Sequence, residues 1–208
     1  MGKAPGRDVV VMAASAGGIE ALRAVVAGLP AGLPAAVLAV LHLPPSGGRA
    51  LPGILARAGA LPAAPAGDVE ELRPGRIYLA PPDHHLLVDG GTARVSRGPR
   101  EHGHRPSADA LFQSAALTAG PHVVAVVLSG ALRDGAAGCA AVERRGGVVA
   151  VQDPAECAYD GMPRAALAAT EGAVALRAAD LAAFIVDQSG GPVEIGVPGR
   201  SRDAGTIS

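Results

Sequence analysis

The sequence has few aromatic residues: they make up 2% of its 208 residues, and tryptophan is absent. A core without large rings has to be built from alanine, valine and leucine, and hydrophobic residues at 49% supply enough of them. The net charge of −1 gives no electrostatic reason to expect binding to nucleic acid or to an anionic membrane surface. We expect one globular domain, as is usual for a chain of this length.

Cysteine is also scarce, and Cys139 and Cys157 have neither CxxC nor CxxH spacing. This spacing gives no support for a disulfide scaffold or a zinc site, so we expect two buried free thiols.

Long apolar runs are missing too. Residues 24–48 carry no charge, but prolines interrupt them and their apolar part is far shorter than a membrane span. We expect a cytoplasmic protein without membrane insertion.

Apolar runs of about four to seven residues alternate with helical patterns through most of the chain. The runs show no apolar–polar alternation, which is typical of parallel strands covered on both faces. We predict an α/β fold, a three-layer, doubly wound and mainly parallel sheet with helices on both faces. The predicted strands of this sheet cover residues 9–14, 36–41, 123–128, 147–151 and 173–176, and the predicted helices cover residues 18–28, 48–58, 107–119, 135–145, 162–169 and 178–187. We expect Ser107 to cap the third of these helices, and Pro163 to stand at the first helical position after the turn at Asp160.

The middle of the chain has a different pattern. Short strand-like segments at residues 76–80, 86–88 and 93–96 are separated by turn sequences such as PPD and DGG. They predict a short antiparallel hairpin insertion between the crossover units. After residue 188 the composition shifts to Gly, Pro, Ser and charge, so we expect a folded domain over residues 1–188 and a disordered tail over residues 189–208.

Three reactive side chains follow three of the predicted strands: Ser15, His42 and Asp134. The carboxyl ends of parallel strands meet at one edge of an open α/β sheet, where ligands bind. A hydroxyl, an imidazole and a carboxylate are the set that acyl transfer requires. The imidazole removes the hydroxyl proton, and the carboxylate fixes the tautomer of the imidazole. The turn after Ser15 opens a helix, whose free N–H groups can stabilise an oxyanion.

Each of the three residues also has a structural interpretation. Ser15 can belong to a tight connection, His42 can be a satisfied core residue, and Asp134 can be the N-cap of the following helix. Other site patterns fit less well. The α/β-hydrolase pattern requires GxSxG and places its histidine last, and the nucleotide patterns GxGxxG and GxxxxGK[ST] are missing.

Six stretches together carry a family resemblance: VVVMAASAGGIEALRAVVAGLP, AAVLAVLHLPP, RPGRIYLAPPDHHLLVDGG, RPSADALFQSAALTAG, VVAVVLSGALRDGAAG and GGVVAVQDPAECAYDGMPRAAL. They occur in family order, and through them the chain resembles the catalytic domain of the CheB-type chemotaxis protein-glutamate methylesterases. The resemblance implies a serine esterase that hydrolyses glutamate methyl esters on the cytoplasmic helices of chemoreceptors. It also implies deamidation of receptor glutamines in some members, and no metal or organic cofactor.

Carried over position by position, the resemblance implies that Ser15 is the nucleophile, His42 the general base and Asp134 the carboxylate that orients it. Further positions follow with less direct support. The backbone N–H groups of Ala16, Gly17 and Ala131 would receive the oxyanion. His85 would either contact substrate or make a structural hydrogen bond.

Three features depart from the family pattern. Full-length members carry a receiver domain ahead of the esterase, whereas this chain begins at the first esterase strand, so we expect any regulator to act in trans. The loop SGALRDG replaces the commoner TGMGxDG, and Ala13 and Ala16 replace a glycine and a threonine. The altered loop leaves two alternatives open: a weak or inactive signalling or scaffold module with the same fold, and an esterase for another ester.

The segment SRGPREHGHRPSAD contains an H-x-H pair, His102 and His104, among three arginines. We expect a solvated loop at the border of the cleft and not a metal site. The charge of the arginines suggests contact with an acidic partner helix.

Overall fold

A computed structural model describes residues 6–43 and 50–190 of the chain. The predicted disordered tail lies outside these ranges except for its first two residues, and so does the predicted start of the second helix. Within the described ranges, no helix has the length and apolar character needed to span a membrane.

Strands and helices alternate along the chain as the apolar runs predict. The strands are β1 (Val9–Ala14), β2 (Ala36–Leu41), β3 (Ala63–Pro65), β4 (Val69–Glu71), β5 (Ile77–Leu79), β6 (His85–Asp89), β7 (Thr92–Ser96), β8 (Val123–Val127), β9 (Val148–Gln152) and β10 (Val174–Leu176). The helices are α1 (Gly18–Ala27), α2 (Leu51–Ala58), α3 (Ala108–Ala119), α4 (Ala136–Arg144), α5 (Gly161–Ala169) and α6 (Ala178–Gln188), with a 3-10 turn at Gly120–His122.

The described residues form a seven-stranded parallel sheet in the order β10-β9-β8-β1-β2-β5-β3. Alternate residues of the central strands face opposite helix layers. Val10 and Met12 pack in one apolar cluster with α1, α2 and α6, while Val11 and Ala13 pack in a second cluster with α3, α4 and α5. The predicted three-layer, doubly wound fold is confirmed, because both sheet faces are covered.

A separate antiparallel sheet, in the order β4-β7-β6, forms the predicted insertion. One part of the prediction is wrong: the segment at residues 76–80, assigned to the hairpins, is β5 and pairs in parallel with β2 and β3. Strands β3 and β4 were not predicted. Each of these strands has three residues, too few for an apolar pattern to show which sheet they join.

The two helices that border the site begin differently. Ser107 is the N-cap of α3, and its side chain accepts a hydrogen bond from the Ala110 amide, as the sequence predicts. Helix α5 begins at Gly161, so Pro163 stands at its third position and not at its first. The two thiols also differ, because Cys139 is buried as expected while Cys157 is partly exposed.

Candidate active site

Asp134 is a buried carboxylate that accepts four hydrogen bonds. Its Oδ1 accepts from the Ser107 hydroxyl at 2.9 Å and from the Asp109 amide at 3.0 Å. Its Oδ2 accepts from the Ala108 amide at 2.7 Å and from Nε2 of His42 at 2.8 Å. Three of the four donors belong to the N-cap and first turn of α3. The carboxylate therefore occupies the end of that helix where free N–H groups and the positive dipole favour an anion.

These contacts decide the charge state of the site. Burial favours a higher pKa for Asp134, but the hydrogen bonds from His42 and from the Asp109 and Ala108 amides outweigh it and lower the pKa from 3.8 to about 2. The carboxyl is therefore ionised at neutral pH and can only accept hydrogen bonds. In the neutral imidazole of His42, Nε2 must then carry the proton, which leaves the lone pair on Nδ1.

His42 lies directly after β2, where its backbone amide donates to the Ala14 carbonyl at 3.1 Å. Its side chain is 9% exposed, so the ring sits largely inside the protein. The ring of His104 lies flat against it, with the centroids 4.2 Å apart and the planes inclined by 6°. The imidazole of His42 is thus held by the carboxylate at one edge and by a second imidazole on one face.

Ser15 lies directly after β1, between the ends of β2 and β8. Its amide donates to the Ser129 carbonyl at 2.9 Å, and the register of β1 and β2 makes Ser15 and His42 the next opposed pair. Neighbouring strands are about 4.8 Å apart. Within residues 6–43 and 50–190, the Ser15 hydroxyl makes no hydrogen bond. The structure therefore joins His42 directly to Asp134 and brings Ser15 beside them without a side-chain bond.

The turn after Ser15 depends on a glycine. Gly17 is the N-cap of α1 and has φ of +71°, and a Cβ there would come within 2.6 Å of the Ala158 Cβ. The backbone N–H groups of Ala16, Gly17 and Ala131 have no acceptor among the described residues. These groups are the candidate oxyanion donors predicted from the sequence. Because no described residue accepts a hydrogen bond from them, they can donate to a ligand.

Ser129 connects the turn to the other loops at this edge, a role that the sequence analysis missed. Its hydroxyl donates to the Ala16 carbonyl at 2.8 Å and accepts from the Tyr159 amide at 3.1 Å. Its own amide donates to the side-chain oxygen of Gln152 at 3.0 Å. A serine directly after the predicted strand at residues 123–128 was the available signal, the same signal that drew attention to Ser15.

His85, expected either on the substrate side or in a structural hydrogen bond, is 4% exposed and lies behind the site. Its Nδ1 accepts from the Ser107 amide at 3.2 Å, so Nε2 carries the proton and donates to the Pro99 carbonyl at 2.9 Å. Both ring nitrogens are therefore engaged with backbone. The ring supports Ser107, which in turn donates to Asp134, and it has no free polar atom to offer a substrate.

One group of potential metal ligands occurs among the described residues: His102, Asp109 and Asp134, with ligand atoms within 4.8 Å of one another. The hydrogen bonds of the two carboxylates explain the cluster without an ion. Asp134 already accepts four hydrogen bonds, and Asp109 accepts one from the Gly138 amide at 2.6 Å. The H-x-H pair does not converge either, because the second of these histidines stacks on His42.

Comparison with known proteins agrees with the fold and identifies the family. The sequence model of a family described as CheB methylesterase matches residues 10–185. The protein-glutamate methylesterase/protein-glutamine glutaminase 3 of Anaeromyxobacter dehalogenans is 46% identical over 167 residues, which cover 79% of this chain and 49% of that protein. A second relative, protein-glutamate methylesterase/protein-glutamine glutaminase 2 of Pseudomonas aeruginosa, is 39% identical over 76% of this chain and 46% of that protein.

A solved structure gives the same result. The crystal structure of the Thermotoga maritima CheB methylesterase catalytic domain superposes with a TM-score of 0.80 at 28% identity, covering 86% of this chain and 97% of that one. The chain thus spans about half the length of the curated relatives that it matches, and nearly the whole of this catalytic domain. With a family match from residue 10 to residue 185, the chain belongs to the CheB methylesterase family.

Proposed function

We propose that this protein is a serine esterase that hydrolyses glutamate methyl esters on the cytoplasmic helices of a chemoreceptor. The observation that carries the proposal is the 2.8 Å hydrogen bond between Nε2 of His42 and the ionised, buried carboxylate of Asp134, with Ser15 at the register position opposite His42. The names of the relatives join methylesterase and glutaminase activity. Glutamine deamidation is therefore the second reaction proposed for the same site.

In the first step the Ser15 hydroxyl attacks the ester carbon while Nδ1 of His42 takes its proton. The imidazolium that forms is stabilised by Asp134, which remains ionised because its pKa is about 2. The carbonyl oxygen becomes an oxyanion, for which the N–H groups of Ala16, Gly17 and Ala131 are the candidate donors. Collapse of the tetrahedral intermediate breaks the bond to the methoxy group, which leaves as methanol with the proton from His42.

The second step returns the enzyme to its starting state. Water attacks the glutamyl ester of Ser15 while His42 takes one of its protons, and the glutamate leaves as the serine oxygen regains the proton. With a glutamine substrate the leaving group of the first step is ammonia, and the second step is the same. Each cycle consumes one water and releases one methanol or one ammonia, so no redox partner or cofactor is required.

The test is release of methanol from a purified, methyl-esterified receptor fragment incubated with the protein. Ser15→Ala should reduce the rate by about ten-thousand-fold or more, because it removes the group that forms the covalent bond. Ser114→Ala is the matched control, since that hydroxyl lies on α3 and bonds the Val88 amide, away from the strand ends. A Ser15→Ala protein that released methanol at the wild-type rate would contradict the proposed nucleophile.

The sequence of the loop before α4 supports a second candidate function. The loop SGALRDG has alanine and leucine where the family pattern has methionine and glycine, and Leu132 is 58% exposed at its tip. A protein with this loop could retain the fold as a signalling or scaffold module without turnover. Labelling with a fluorophosphonate separates the two candidates, because only a serine activated by His42 reacts. An esterase for another ester would label but release no methanol from the receptor fragment.

A further inference from the structure

The ring stacked on His42 belongs to the segment between β7 and α3, which the proposed reaction does not use. His104 approaches as a parallel plate, at 4.2 Å between centroids and 6° between planes. Parallel rings at this distance bury one face of each other and exclude water from it. Rotation of the His42 side chain out of its present plane would meet this ring.

The segment that carries His104 is anchored on both sides of the ring. The backbone of His104 and Glu101 forms a two-bond bridge, with N···O distances of 2.8 and 3.0 Å. The next residue, Arg105, donates through Nε and Nη2 to both oxygens of Asp83, at 2.9–3.1 Å, and through Nη1 to the Gly98 carbonyl at 2.9 Å. An arginine fork on a carboxylate fixes direction as well as distance.

Two further arginines add to this anchor. Arg97 and Arg100 each donate to Asp83, at 3.0 and 2.7 Å, so three guanidinium groups converge on one carboxylate. Hydrogen bonds from Arg105 and Arg97 keep the pKa of Asp83 below 3.8, although burial acts the other way. The arginines that the sequence analysis assigned to an acidic partner helix are thus engaged within the chain. Their position suits them to hold the segment that presents His104.

We propose that His104 is a positioning residue for the esterase reaction: its ring holds the plane of His42 so that Nε2 stays on Asp134 and Nδ1 faces Ser15. This inference rests on the proposed function, since it assigns His42 as the base. The arrangement gives His42 support at its edge from Asp134 and on its face from His104. A base held in one orientation loses less rate to unproductive geometries than one free to rotate.

The electrostatics of the pair agree with a role for the ring face and not for its charge. Burial lowers the pKa of His104, as do the nearby His42, His102 and Arg100, while Asp134 acts in the opposite direction. At neutral pH the stacked ring is therefore uncharged. A neutral neighbour does not oppose the positive charge that develops on His42 in the reaction, whereas a cation at this distance would repel it.

The kinetic test compares three substitutions at this position with a matched control. His104→Ala and His104→Leu should lower kcat by about 10- to 100-fold with little change in KM, because ångström-scale misplacement of a catalytic group costs about this much. His104→Phe keeps a flat ring that cannot be protonated, so it should restore kcat to within about threefold of wild type. His122→Ala is the control, since His122 precedes β8 at the opposite edge of the sheet and should leave kcat unchanged.

A second measurement is independent of turnover. In 15N-histidine NMR spectra at neutral pH, wild-type His42 should show one tautomer, with the proton on Nε2. His104→Leu should give a mixture of tautomers or exchange broadening, and His104→Phe should retain the wild-type pattern. If the protein has no esterase activity, the spectra still decide the positioning role. If His104→Ala does not fold, the leucine and phenylalanine variants carry the comparison.

Two results would overturn the inference. One is a leucine variant with the wild-type kcat or an unchanged His42 spectrum, because the stacked ring would then have no effect on the base. The other is a phenylalanine variant as slow as the leucine variant, because the imidazole itself and not its ring face would then be required. A loss confined to KM would assign His104 to substrate contact and reject positioning in the same way.

Discussion

Asp134→Asn is the substitution for which the structure gives the most complete expectation. Asparagine has nearly the same shape, but it can place an oxygen at only one of the two positions that now accept hydrogen bonds. If its oxygen faces Ser107 and the Asp109 amide, its NH2 group faces the Ala108 amide, which is also a donor. The same NH2 group would force His42 to accept on Nε2 and to carry its proton on Nδ1. The base would then have its proton on the nitrogen that should receive one.

The effect on stability follows from the pKa of the carboxyl. A folded-state pKa of about 2, against 3.8 for the ordinary group, corresponds to about 2 kcal/mol of stabilisation at neutral pH. The side chain is 1% exposed, so solvent screening does not reduce this amount much. Because the pKa is lowered by folding, the stabilisation is complete above about pH 5 and is lost as the pH falls through 3.8 toward 2.

The assay is urea unfolding of wild type and Asp134→Asn at pH 7 and at steps down to about pH 2. The variant should be less stable by about 2 kcal/mol at pH 7, and the difference should shrink below pH 4. Esterase turnover should fall by about ten-thousand-fold, because the wrong tautomer removes the base. Asp8→Asn, at a carboxylate that is 65% exposed, is the control and should change stability by less than about 0.5 kcal/mol. A difference that did not depend on pH would refute the reasoning.

Three further substitutions test neighbouring parts of the site. Gly130→Ala would put a Cβ against Met162 and within 3.0 Å of the Ser15 Cβ, so it should cost about 1–3 kcal/mol in urea unfolding and reduce turnover. Ser107→Ala removes both the helix cap and a donor to Asp134. It should cost about 1–2 kcal/mol in the same assay. Asp109→Asn should act in the opposite direction, because burial raises the pKa of Asp109 and its ionisation destabilises the fold as pH rises. This variant should be more stable than wild type at pH 7 and equal to it at pH 3, which thermal unfolding at the two pH values measures.

The sequence was sufficient for the parts of the fold that long apolar runs encode. The strands predicted at residues 9–14 and 36–41 have the observed bounds, because each run is buried along its whole length. The run lengths also locate the ends of the strands, and from these ends the candidate residues Ser15 and His42 follow. Strand β5 has three residues, too few for the local pattern to show which sheet the strand joins. Its partner strands decide that, so its assignment to the hairpins was wrong.

The support around the candidate site was not predictable in the same way. Ser107, Ser129 and His104 act through contacts with residues 27 to 113 positions away, and a single sequence carries no record of such pairs. Ser107 was predicted only as a helix cap. The hydrogen bond from its hydroxyl to Asp134 forms because the fold places the loop after β8 against the first turn of α3. The sequence thus located the reactive groups through strand ends, and the fold determined what surrounds them.

The structural interpretation of Asp134 as the N-cap of the following helix is wrong, because Gly135 is the N-cap of α4. Asp134 precedes α4 but binds the first amides of α3, while Asp109 in α3 binds the Gly138 amide in the first turn of α4. The two helices therefore exchange carboxylates at their N-termini. The same hydrogen bonds that anchor the helices lower the pKa of Asp134 and orient its carboxylate so that Oδ2 accepts from His42. Any change that separates the two helix ends must also release the imidazole, so stability and orientation of the base are coupled at this point.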